Sequence, residues 1–225
     1  MNTSDFLNTV ASTHGSDTLL GAMVFLALDR PLDQAIRYAL ALGPYHPGQP
    51  SPWSHCFLLA APYTDGSTAI LDCTIRDSNN AIIWDSTLAE DIQVLSAGFA
   101  GRAGGIYSGR VDDYDNPKVQ ACGVKWLPTL TPARRNSLVA AAQALQQQGY
   151  HYDLPGLVWE LIRLLTGAVV RPPDQKLLFC SAFLATLYRS ALSSDGDFAP
   201  KTASADTTPD EIWYSSLGVE QQTPA

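Results

Sequence analysis

Leu177-Leu178-Phe179-Cys180-Ser181-Ala182-Phe183-Leu184-Ala185-Thr186-Leu187-Tyr188-Arg189 is the stretch on which the reading of this chain turns. It follows a polar, proline-bearing segment, Arg171-Pro172-Pro173-Asp174-Gln175-Lys176, and predicts a helix with Cys180 on its first turn. Leu184, Leu187 and Ala191 follow at helical spacing, so the cysteine heads an apolar stripe and points inward. Unpaired backbone N–H groups and the positive end of the helix dipole favour thiolate over thiol there. Such a cysteine is a nucleophile candidate, provided a histidine comes to meet it. The plainer reading is a small core residue that happens to start a helix, since free cysteine is among the most buried residue types.

The bulk properties narrow the field. The 225 residues suffice for one domain with a sizeable core, and 46% apolar and 16% charged residues describe an ordinary globular protein. A formal charge of −8 argues against binding nucleic acid or an anionic membrane surface through general electrostatics. No apolar run approaches the length of a membrane span. Met1 to Ser16 lacks the basic residues and apolar centre of a secretory signal, so a cytoplasmic location is expected, with export by a signal-independent route left open. Cys56, Cys73, Cys122 and Cys180 form no CxxC pair, and His14, His46, His55 and His151 are not at ligand spacing. Neither a metal nor another cofactor is expected.

Outward from Cys180, the chain reads as α+β. Residues 1–18 are expected to form an N-terminal arm, loose or as a short helix, ahead of a single domain over residues 19–225. Ala22 to Leu28 predicts a buried strand, and Leu32 to Leu42 a short helix stopped by Gly43-Pro44. Gly43 to Ser54 carries prolines at 44, 47, 50 and 52 and is expected as a rim loop, with Tyr45, His46 and Trp53 for contact surface. Strands are expected over His55–Ala60, Ala69–Arg76, Ala81–Asp85, Ile106–Val111 and Gly123–Leu127, the first of them joined by turns too short for helical crossovers and so antiparallel. Thr131 and Pro132 open a helix that Gly149 stops. Further helices are expected over Asp153–Thr166 and from Pro209 to Tyr214.

His55 opens one apolar strand, and Asp72 interrupts the next. Alternation puts His55 with Phe57 and Leu59 on one face, and Asp72 with Ile70 and Thr74 on one face, sending Cys56 and Cys73 the other way as structural thiols. An acid inside an apolar strand is costly unless paired, and a histidine on the neighbouring strand is the natural partner. Each residue alone is more simply a satisfied buried polar group; together they supply a base and its orienter for the thiol.

These pieces resemble, in order, a circularly permuted NlpC-type cysteine peptidase of the YiiX-like branch. Gly21-Ala22-Met23-Val24-Phe25 is similar to the family's opening strand, with Ala22 where Asp is usual. Ser54-His55 matches the histidine strand start, and Ile70-Leu71-Asp72 the strand with the third polar residue, more often Glu. Gly149-Tyr150-His151-Tyr152-Asp153, Phe179-Cys180-Ser181 and Thr208-Pro209-Asp210-Glu211-Ile212 complete the set. The resemblance implies a permuted papain-like fold, an antiparallel sheet packed against helices with the nucleophile at a helix N-terminus. It implies a thiol hydrolase with Cys180 attacking, His55 moving the proton and Asp72 holding the imidazole. Tyr152, Trp53, Ser54 and Ser181 are the candidate substrate-binding residues, although Tyr152 is equally explained by packing at the entry of a helix that Asp153 caps.

The implied substrate is a small peptide or cell-wall fragment, cut at a peptide or isopeptide amide. Without a signal peptide, such an enzyme acts on recycled fragments inside or is exported as an antibacterial effector, with secretion machinery or an immunity protein as partner. Two alternatives stand beside this one. A lipid acyl hydrolase or acyltransferase, similar to the lecithin retinol acyltransferase group, would need an apolar tunnel beside Cys180. A binding or scaffold domain would have no need of the cysteine, histidine and aspartate.

Overall fold

The apolar run in the first fifth of the chain becomes the middle of a sheet. A computed structural model describes residues 2–77, 79, 81–87, 90, 104–152 and 177–223. Among them, eight strands form one sheet: β1 (Met23–Leu28), β2 (His55–Leu59), β3 (Ala69–Ile75), β4 (Gly104–Arg110), β5 (Val119–Trp126), β6 (His151–Tyr152), β7 (Leu177–Leu178) and β8 (Val219–Gln222). Their spatial order is β7-β6-β4-β3-β2-β1-β5-β8. All neighbours run antiparallel except β6 and β7. β1 is buried along its whole length because both its faces are covered, which is why it reads as a continuous apolar run rather than an alternation.

Helices α1 (Thr3–His14), α2 (Pro31–Leu40), α3 (Pro132–Gln147), α4 (Cys180–Leu192) and α5 (Pro209–Trp213) complete the α+β architecture. On one face of the sheet, Met23, Phe25, Leu58 and Leu71 meet Leu138 and Ala142 of α3 and Phe183, Leu184 and Leu187 of α4. On the other, Val24, Leu26, Phe57, Leu59 and Ile70 meet Phe6, Leu7 and Val10 of α1. Burying each such side chain contributes roughly 1.5–3 kcal/mol. The N-terminal segment is therefore a docked helix, not a loose arm. No helix among the described residues is long and apolar enough to cross a membrane.

The predicted helix starts are realised through their caps. Thr131 Oγ1 accepts from the Arg134 N–H at 3.3 Å. Thr208 Oγ1 accepts from the Glu211 N–H at 3.2 Å while Glu211 Oε2 accepts from the Thr208 N–H at 2.8 Å, a reciprocal capping box. Gly149 ends α3 with φ +71°, a conformation that favours glycine.

Three expectations need correction. The segment over Ala81–Asp85 is no strand and makes one bridge, Arg76 to Ile82. Its carbonyls are taken by side chains instead: Arg30 Nη1 donates to the Ile83 oxygen and Lys118 Nζ to the Trp84 oxygen. On α4, Ala191 is exposed, and Tyr188 and Leu192 continue the buried face. β6, β7 and β8 were not expected, being two to four residues long with no alternation to betray them. The helix expected over Asp153–Thr166 lies outside the described residues.

Candidate active site

Cys180 is the first residue of α4, and the N-cap Phe179 offers no side-chain hydrogen bond. The N–H groups of that first turn therefore have no side-chain cap to satisfy them, the condition under which a helix start holds an anion. Cys180 is 4% exposed and His55 3%. Their low exposure keeps water from screening whatever charge they carry.

His55 opens β2, and Asp72 sits mid-strand in β3 with 0% exposure. The His55 Nε2–H donates to Asp72 Oδ1 at 2.9 Å. Tyr114, at the end of the short 3-10 turn Val111–Tyr114, donates its hydroxyl to Asp72 Oδ2 at 2.5 Å and lies 2.9 Å from His55 Nε2. Both carboxylate oxygens are thus engaged, which is what a buried charge requires. The Tyr114 ring is itself fixed, stacked on Phe57 at 5.0 Å and edge-on to Trp84 at 6.0 Å. Burial, followed by the Asp72 charge, pushes the phenol well above its ordinary value of 10.0, so it stays a donor.

With Nε2 committed to Asp72, Nδ1 is the ring nitrogen left free, and Cys180 is among the groups whose interaction with His55 shifts both. Burial works against a charged imidazole, but the Asp72 charge and hydrogen bond, together with Cys180, outweigh it and raise His55 to about 10. Cys180 is lowered to about 5: a hydrogen bond from the Cys56 thiol acts first, burial opposes it, and the hydrogen bond and charge of His55 and the Cys56 backbone N–H add to the lowering. Both shifts run toward a thiolate–imidazolium pair. Burial pushes Cys122 well above its ordinary value, and burial together with Cys180 does the same to Cys56.

The expected face assignment is half right. Phe57 and Leu59 do lie on the face opposite Leu58, with Tyr114 among their neighbours. Cys56 and Cys73 do not turn away from the nucleophile, because α4 packs on their face of the sheet. Cys73 Sγ donates to the Leu178 carbonyl at 3.2 Å, beside the lead-in to α4. His55 pairs with Leu26 of β1 but lies beyond the β2–β3 ladder, which is registered only at Leu58 and Leu59.

The expected substrate-binding residues fare differently. Trp53 is 1% exposed and packs against Phe25 and Trp213, with ring centroids 6.0 and 4.6 Å away. Gly123 makes room for both indoles: a Cβ there would lie 2.6 Å from Trp53 and 2.8 Å from Trp213. Ser54 is buried and spent on β1, accepting from the Leu28 N–H at 3.1 Å. Ser181 is buried beside the nucleophile, and among the described residues its hydroxyl has no hydrogen-bond partner. Tyr152 lies on β6, in register with Leu178 two residues before Cys180. Among the described residues, no three His, Cys, Asp or Glu side chains gather as a metal site.

Tyr114 escaped the sequence. Tyr114 sits in a polar turn, Val111-Asp112-Asp113-Tyr114, with no local pattern to mark it. Its contribution is open to test: Tyr114→Phe keeps the ring packing and removes one donor to a buried carboxylate. That variant is expected to lose about 1.5–3 kcal/mol in urea unfolding. Asp72 keeps His55, so the variant's turnover falls by no more than about tenfold.

Comparisons with protein-family models, characterised proteins and solved structures found no match to this chain.

Proposed function

We propose that the chain is a cysteine-dependent hydrolase with a permuted papain-like fold that cleaves an amide bond, peptide or isopeptide, in bacterial cell-wall peptides. The observation that carries this reading is the buried line from Cys180 through His55 to Asp72, with the thiol at an uncapped helix start. A core residue or a scaffold has no use for a charged thiolate held beside an imidazolium.

In the proposed mechanism, the Cys180 thiolate attacks the carbonyl carbon, and N–H groups at the start of α4 bind the oxyanion that forms. His55 gives its Nδ1 proton to the leaving amine as the C–N bond breaks, leaving a thioester on Cys180. Water then attacks the thioester while His55 takes its proton. The carbonyl re-forms, the C–S bond breaks, and the proton and thiolate return to their starting places. Asp72 stays ionised throughout and holds the ring so that Nδ1 faces sulfur.

The substrate class follows from the family resemblance, as does delivery to other bacteria as an exported effector countered by an immunity protein. The experiment that tests the function is mass spectrometry of purified peptidoglycan fragments incubated with the protein and with Cys180→Ala. New fragments one water heavier in sum than their parent, formed only by the wild type, support amide hydrolysis. Release of fatty acid from lipid with no change in the fragments would move the proposal to acyl lipids.

A further inference from the structure

A cleft lies outside the cluster of Cys180, His55 and Asp72. Asp29, Gln34, Arg37, Tyr38, Pro50 and Gln120 line a cavity of about 240 Å³, the volume of roughly eight waters. It belongs to the end of the sheet at which His55 opens β2. Asp29 directly follows β1 and stands three residues past Leu26, the partner of His55, a span of at most about 11 Å along the chain.

The polar groups of the cleft are set in place by one another. Gln34 Nε2 donates to Asp29 Oδ1. Arg37 Nε donates to the Ser51 carbonyl at 2.7 Å and its Nη1 to Gln120 Oε1 at 3.3 Å. Asp29 and Arg37 bring one negative and one positive charge to the lining, so it carries no net charge to draw an ion. Two amides, a carboxylate and a guanidinium offer donors and acceptors side by side, which suits hydroxyl groups because each hydroxyl both donates and accepts.

The same region gathers exposed aromatic rings. Among the described residues, the large apolar side chains left exposed are Tyr38, Leu42, Tyr45, Tyr214 and Val219, with Tyr38 at 64%. Tyr38 is on α2, Leu42 and Tyr45 follow it, and Tyr214 stacks on Tyr45 with ring centroids 5.3 Å apart. The loop is folded back along α2 by the Gly48 N–H to the Ala41 carbonyl at 3.1 Å and the Ser51 N–H to the Arg37 carbonyl at 3.0 Å. A tyrosine ring gives a flat apolar face with a polar tip, and it matches a ligand with a C–H face and a rim of hydroxyls.

We propose that this cleft is a saccharide subsite, in which the polar groups hold the hydroxyls of one uncharged pyranose ring and Tyr38 covers the ring's apolar face. As part of the active centre it rests on the reading of Cys180 as a nucleophile, and it makes the substrate a peptide still attached to its glycan.

The test is calorimetric titration of wild type, Tyr38→Ala and Tyr38→Phe with chitotetraose, a neutral saccharide that carries no peptide bond, and with inorganic phosphate as the charged control. Chitotetraose should bind the wild type saturably. Tyr38→Ala should weaken it at least about tenfold, since an exposed ring that becomes covered is lost. Tyr38→Phe keeps the ring and should restore most of the affinity. Absence of saturable binding at millimolar chitotetraose overturns the proposal, and so does equal affinity in wild type and Tyr38→Ala. Competition by phosphate would make the cleft an anion site and also overturns it. Tyr38 lies on the surface, so its replacement leaves the core intact, and urea unfolding of each variant checks this. The two readings fail separately: saccharide binding without hydrolysis of any fragment leaves the subsite and removes the hydrolase, whereas hydrolysis without saccharide binding does the reverse.

Discussion

Cys180→Ala is expected to reduce turnover of the cell-wall substrate by at least about a thousandfold while the protein stays folded. The substitution removes a single sulfur from the first turn of α4, a change that costs roughly 1–2 kcal/mol or less. The rest of that helix start is held by Phe183 and Leu184, which the substitution leaves in place. His55 loses its thiolate but keeps its bond to Asp72. Turnover and thermal or urea unfolding, measured on one preparation, separate chemistry from stability. A variant that keeps full activity would make Cys180 a packing residue, and the scaffold reading would replace the hydrolase.

The next largest effect is expected at Asp72. Asparagine matches the carboxylate in shape but removes the charge that raises His55, so the imidazolium is no longer favoured and the thiolate loses its counter-ion. Asp72→Asn should fold and lose about a hundred- to ten-thousandfold in turnover. Its amide can accept from one donor, and the Tyr114 hydroxyl can rotate to receive the other group. Asp72→Ala is a different case. It leaves both the His55 Nε2–H and the Tyr114 hydroxyl without the carboxylate, at about 1–3 kcal/mol each. That sum is a large part of the roughly 5–15 kcal/mol that holds a domain folded. Asp72→Ala should therefore lose much of its stability, and an Asp72→Asn protein as active as wild type would remove Asp72 from the mechanism.

Much of this site was legible because strands and helices repeat. Alternation pairs His55 with Asp72, and helical spacing sets Cys180 at the head of an inward face. What alternation cannot report is which face of the sheet a distant helix will cover. Cys56 and Cys73 therefore share a face as expected, but that face is the one α4 covers. Nor can it report a residue delivered by a turn: Tyr114 reaches Asp72 from 42 positions away along the chain. The strand expected over Ala81–Asp85 failed because Arg30 and Lys118, remote in sequence, claimed its carbonyls. Trp53 read as loop surface because its neighbours are prolines, yet Gly123 opens a slot for its ring in the core.

The central claim is that Cys180 and His55 stand as thiolate and imidazolium at neutral pH. Below about 5 the thiolate takes a proton, and above about 10 the imidazolium loses one. Alkylation tracks the thiolate alone, so its rate at Cys180 should rise with a midpoint near pH 5 and then hold through neutrality. The most direct measurement is the rate of iodoacetamide labelling at each of the four cysteines of the folded wild type, followed by mass spectrometry across that range. The account predicts that Cys180 reacts fastest at neutral pH with the acid midpoint just given. A Cys180 midpoint at the ordinary thiol value of about 8.5, or faster labelling of Cys56, Cys73 or Cys122, would contradict it.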